Sequence, residues 1–209
     1  MNRLLAGILA VVSLVAMPVL ALAQQPQGGP PPVRVRGTIE KVEANTVTVK
    51  TSGGKTETLK LADNARITAM VKATLADIKV GTFIGVTAMP QPDGTQKAIG
   101  LHIFMDAQRG VVPARFSPWD REPGSTMTNA DVTSTVASVD GQVMMVKYAD
   151  GEKKVIVPPN TPVVKFVPGN MGDVKPGAQM ILIAGKRNPD GTIAAPSLNV
   201  GRDGAVPPM

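Results

Sequence analysis

The chain has 209 residues, a formal net charge of +6, no cysteine and one histidine, with 21 Gly, 19 Pro and 3% aromatic residues. Without cysteine there are no disulfides, thiolate metal centres or cysteine nucleophiles, and a lone histidine leaves no histidine-clustered zinc site. What remains is a lightly built chain, long enough for one or two small domains.

Met1-Asn2-Arg3 precedes an uncharged stretch from Leu4 to Ala23. The single positive charge, the apolar run to Met17, Pro18 and then Ala21-Leu22-Ala23 predict a cleaved signal peptide over residues 1–23. Ala21 and Ala23 supply the two small side chains that cleavage requires. The alternative is an uncleaved anchor, but Pro18 interrupts it and no basic cluster follows to stop transfer. The expected location is the periplasm of a Gram-negative bacterium, or the medium outside it. Residues 24–33, rich in Gln, Pro and Gly, read as a tether.

A first unit is expected over 34–105. Val47 and Val49, then Thr56, Thr58 and Lys60, alternate at period two around the turn Ser52-Gly53-Gly54-Lys55. One short helix is expected over Ala73–Ile78. Phe83–Met89 and Ile99–Phe104 form a hairpin across Pro92-Asp93-Gly94. Alternation places Ile99, Leu101 and Ile103 on an apolar face and His102 on the opposite face, toward solvent or a partner.

Residues 106–130 read as a linker carrying Phe116 and Trp119, the latter the sole tryptophan. These two aromatics either plug an apolar seam between units or contact a partner. A second unit is expected over 131–202, with Met144 and Val146, then Val155 and Val157, a short helix over Asn170–Val174, and Leu198 with Val200 facing inward. Residues 203–209 form a tail.

The two units match as an internal repeat. Thr38-Ile39 and Val42 answer to Thr135-Val136 and Val139, Val49-Lys50 to Val146-Lys147, and Gly54 to Gly151, all 97 positions apart. Asp77-Ile78-Lys79-Val80-Gly81 answers to Asp173-Val174-Lys175-Pro176-Gly177, and Pro92-Asp93-Gly94-Thr95 to Pro189-Asp190-Gly191-Thr192. The fold class expected is all-β: two tandem small OB-like β-barrels, each with one short helix, after the signal peptide. These motifs resemble exported bacterial OB-like domains of unknown function that often occur as repeats. The resemblance covers 34–105 and 131–202. It implies fold, and it carries no functional residue across, because its motifs are turns and barrel faces.

Chemistry is sparse. The aspartates of the Asp-Gly pairs at 93, 140, 150, 190 and 203 are accounted for by turns, and no phosphate loop, dinucleotide fingerprint or serine elbow appears. An enzyme is not expected, nor is a cofactor. Too few aromatics exist for base stacking, and the basic excess is spread, so nucleic acid is not expected as a partner. An envelope protein or an anionic surface fits better. The reading is a non-catalytic exported binding or scaffold protein of unknown ligand. Its alternative is a soft-metal (copper or silver) binder using His102, Met105, Trp119 and Met127.

Overall fold

The computed structural model describes residues 31–138 and 141–209. The expected signal peptide, its expected cleavage residues Ala21 and Ala23, and the expected tether as far as Pro30 lie outside the described residues, as do Val139 and Asp140.

Twelve strands follow in order: β1 (Val33–Glu43), β2 (Thr46–Thr51), β3 (Thr56–Ala73), β4 (Phe83–Pro90), β5 (Gln96–Ile103), β6 (Arg115–Pro118), β7 (Thr126–Ser138), β8 (Gly141–Tyr148), β9 (Gly151–Val157), β10 (Val163–Pro168), β11 (Gln179–Arg187) and β12 (Ile193–Gly201). The fold is all-β, as expected. In place of the helices expected at Ala73–Ile78 and Asn170–Val174 stand single 3-10 turns, Leu75–Asp77 and Met171–Asp173. Each stops after one turn because the next residue leaves helical angles, Ile78 at φ −96°, ψ 115° and Val174 at φ −82°, ψ 87°. Asp77 closes the first by accepting the Thr74 N–H at 2.8 Å, and Asp173 closes the second by accepting the Asn170 N–H at 2.9 Å.

The strand pairings do not follow the expected unit boundaries. β1, β2 and β3 form an antiparallel meander, but its barrel is closed by the hairpin β11–β12 from the far end of the chain. β11 lies antiparallel to β1, with Val35 opposite Leu182, and β12 lies parallel to β3, with Leu198 opposite Ile67. The result is a closed five-stranded barrel filled by Ile39, Val47, Val49, Leu59, Met180, Ile193, Leu198 and Val200. The meander β7–β8–β9 pairs in the same cyclic order with the hairpin β4–β5. Val86 sits opposite Thr128, and a short parallel contact sets Gln96 beside Val155. A second apolar cluster, including Ile84, Val86, Leu101, Ile103, Met144 and Val155, fills this ring. Each meander is therefore completed by a hairpin from the other half, and residues 34–105 and 131–202 do not each close a ring of their own. Pro32–Met209 is accordingly one compact unit.

β10 bridges the two rings, antiparallel to β3 and parallel to β5. A third cluster forms at this seam from Met70, Phe83, Phe104, Met127, Phe166, Ile181 and Met209. The expected linker contributes to it, since β6 pairs with β7, and Thr126–Ala130 already belong to β7. The tail also folds in: Pro207, Pro208 and Met209 are buried, and a Cβ on Gly100 would stand 2.4 Å from the Pro208 carbonyl oxygen.

Most of the expected inward residues are buried, among them Val47, Val49, Leu101, Ile103, Leu198 and Val200. Ile99 is an exception and is only half-buried. The β4–β5 register shifts there, with Thr87 opposite Gly100 and Ala88 opposite Ala98, so a bulge hands the inward position to Ala98. The repeat match of Ile39 with Val136 does not carry over to burial: Val136 is 63% exposed where Ile39 is 1% exposed. The Ile39 N–H donates to the Ala178 carbonyl and Ile39 accepts from Gly177; Val132, not Val136, makes the same two bonds with Thr82 and Gly81. A further correction concerns His102. Its side chain does face away from Leu101 and Ile103, but that face is covered by the seam, and His102 is 3% exposed.

Candidate functional site

A pocket of about 360 Å³ opens at the seam. Strand β1 brings Arg34 to it, β5 brings His102, β7 brings Met127 and Asn129, and β12 brings Asn199. Phe104, Phe166, Ile183 and Met209 form apolar walls, and Trp119 and Arg115 come from the segment before β7. In each strand the pocket residue alternates with residues that fill a barrel: Arg34 next to Val35, His102 between Leu101 and Ile103, Asn199 between Leu198 and Val200. Strand alternation thus feeds one face to a ring and the other to the seam.

Burial alone pushes the His102 imidazole down from its ordinary value to about 3, so the ring is neutral at physiological pH. It lies edge-on to Phe104 at 4.6 Å and tilted on Phe166 at 5.1 Å between ring centres. Its Nδ1 has no hydrogen-bond partner among the described residues. The same holds for Arg34 Nε, Trp119 Nε1 and Asn129 Oδ1. Half of the eight orphaned buried side-chain atoms therefore belong to residues lining this one pocket. Native folds rarely leave such groups unpaired, each costing on the order of 1–3 kcal/mol, so this pocket is where solvent or a bound molecule would complete the hydrogen bonding.

Charge at the pocket is positive. The Arg34 guanidinium lies 4.3 Å from the Trp119 ring centre and 3.4 Å from Asp120 Oδ2. Arg36 reaches the other Asp120 oxygen at 2.6 Å. Partial burial works to raise the Asp120 pKa, yet the two guanidiniums outweigh it and hold the carboxyl below its ordinary value. Arg115 is exposed and makes no ion pair among the described residues.

Of the four residues considered for a soft metal, His102, Trp119 and Met127 line this pocket. Met105 does not; it borders a separate hollow with Phe83 and Asp106, and its N–H donates to Gln108 Oε1 at 2.9 Å. The two linker aromatics also part company. Trp119 packs against the seam cluster, whereas Phe116 stacks on Tyr148 at 6.2 Å, with Lys153 Nζ 4.8 Å from its ring centre. Sequence reading missed Arg34, Arg115, Asn129, Asn199 and Met209. The only available signal was the alternation Val33-Arg34-Val35-Arg36, which marks a second strand face without showing that it is covered.

Comparison with protein-family models, with curated proteins and with solved structures found no match for this chain.

Proposed function

We propose that this chain is a non-catalytic small-molecule-binding module of the bacterial envelope, built from two OB-like barrels that arose by duplication and exchanged their C-terminal hairpins. The strand order of each ring, meander then hairpin with the last strand parallel to the third, is that of an OB barrel. Duplication is supported by the pairing of Met70 with Phe166, 96 positions apart, which places matched residues opposite each other in the bridge between rings.

The observation that carries the binding role is the set of four orphaned polar atoms around one pocket. No Asp or Glu side chain lines that pocket and its histidine is held neutral, which favours holding a molecule over transforming it. A small-molecule screen read by Trp119 fluorescence and amide NMR tests this. Hits should move the Trp119 and His102 signals together; hits that bind elsewhere and leave both unmoved count against the pocket. Export is a separate part of the proposal. Mass analysis of the protein from its native host should find Gln24 at the N-terminus, and retention of Met1 would defeat it.

A second reading rests on His102, Trp119 and Met127 sharing the pocket, a set suited to Ag(I) or Cu(I). Silver titration separates the two readings: submicromolar quenching of Trp119 supports the metal, and a flat response removes it.

A further inference from the structure

We propose that the seam pocket takes a small organic anion, a carboxylate on an apolar body, with the carboxylate at the guanidinium end. This rests on the pocket being a binding site and goes further by naming the ligand chemistry.

The charge argument comes first. The ionisable side chains lining the pocket are those of Arg34, Arg115 and His102, with no Asp or Glu among them. His102 adds no charge, since burial keeps it neutral. Asp120 is shared between Arg34 and Arg36, and Arg36 Nε also donates to the Met209 main-chain oxygen at 2.8 Å, whereas Arg115 has no acidic partner among the described residues. A cation would meet repulsion without a counter-charge, and a neutral molecule would leave the excess uncompensated.

The orphaned donors narrow the choice. Arg34 Nε–H and Trp119 Nε1–H can only donate, and both lack an acceptor among the described residues. A carboxylate supplies up to four acceptor positions and pairs well with guanidinium. The depth of the pocket speaks against a bare inorganic anion. Phe104, Phe166, Met127 and Ile183 offer it no hydrogen bond, and burial against an apolar chain or ring is the favourable way to fill that space. His102, nine-tenths buried and unpartnered at Nδ1, together with Asn129, leaves neutral hydrogen-bonding capacity there for one polar substituent. The volume, about 360 Å³, lies at the low end of small-molecule pockets, which run from about 300 to 1,000 Å³.

The test uses the full chain and a series matched in its apolar part: hexanoate, benzoate, hexanol and hexylammonium, with inorganic phosphate as control. Binding is read by Trp119 fluorescence and by calorimetry. The carboxylates should bind about tenfold or more tighter than the alcohol or the amine, the ratio expected of a charge-assisted hydrogen bond. Arg115→Gln should weaken hexanoate by about tenfold and leave hexanol unchanged. Arg115 is exposed and makes no ion pair among the described residues, so unaltered melting should accompany that loss. Hexanol equal to hexanoate, or an Arg115→Gln variant with undiminished carboxylate affinity, overturns the anion while leaving a pocket that binds. Phosphate matching hexanoate overturns the apolar body. Silence from every probe in both readouts overturns the anion and the binding site together.

Discussion

Gly85 on β4 lies directly across the ladder from His102 on β5, and the imidazole fills the space a side chain at position 85 would need. A Cβ built on Gly85 would stand 2.0 Å from both Cε1 and Nε2 of His102. Glycine is required here by close approach, not by backbone angle. The buried imidazole has little room to retreat between Phe104 and Phe166. Gly85→Ala should therefore cost about 1–3 kcal/mol as overpacking. Adding His102→Ala should recover part of that loss, a coupling that chemical denaturation of the four species measures directly.

Acid should loosen the fold through His102 before it touches the carboxylates. The sole histidine titrates near 6.5 when unfolded and near 3 when folded, because burial disfavours its charged form. The unfolded chain thus binds the extra proton between those values. Stability from this group is complete above pH 6.5 and falls as pH drops, by about 1.4 kcal/mol per unit. Asp120, Asp173 and Asp190 are held below 3.8, so what they contribute is lost only at lower pH. Denaturant midpoints from about pH 4 to 7 should slope in the wild type and flatten in His102→Asn.

Ile103 and His102 are neighbours on one strand and serve two different cores. Truncating Ile103 to alanine should cost about 2–4 kcal/mol through lost burial in its ring. On a solvent-facing position His102→Ala would cost under about 0.5 kcal/mol. Its burial at the seam raises that to more than about 1 kcal/mol. Equilibrium unfolding of both variants decides: a silent His102→Ala would mean that the seam is open in solution.

Severing the chain at the exposed Gly110 tests the hairpin exchange. Neither fragment holds a complete ring, since β1–β3 lack β11–β12 and β7–β9 lack β4–β5. Each fragment alone should show no cooperative melt, and an equimolar mixture should restore a one-to-one β-rich complex by circular dichroism and ultracentrifugation. A first fragment that folds by itself would return the barrels to sequence-contiguous units.

The inward faces were legible because alternation is local: Val47, Val49, Leu198 and Val200 follow it without interruption. Ile99 failed where one bulged residue reversed the phase, a change that no pattern of side chains announces. The hairpin exchange was invisible for a different reason. β4–β5 and β11–β12 turn on the same Pro-Asp-Gly-Thr sequence, at 92–95 and 189–192, so local pattern does not distinguish which meander each closes. The pocket was hidden by that exchange. Arg34, Asn129 and Asn199 read as solvent-facing positions until the second ring is set against the first. His102 was noticed as a single histidine, but its shielding by Phe104 and Phe166 depends on β10 passing beside β5.

The crossing of hairpins also sets a clock. A chain made from its N-terminus finishes β3 at Ala73, yet the partner strand β11 begins only at Gln179. At about 5–20 residues per second, the first meander waits roughly 6–26 s with two unpaired edges before both of its closing strands, ending at Gly201, exist. During that interval the nearest available hairpin is β4–β5, the wrong one for the final fold. Early pairing with it would have to be undone when β7–β9 emerge. A helper that holds the young chain open, or a delay in folding until the whole length is present, would therefore raise the yield of the exchanged form.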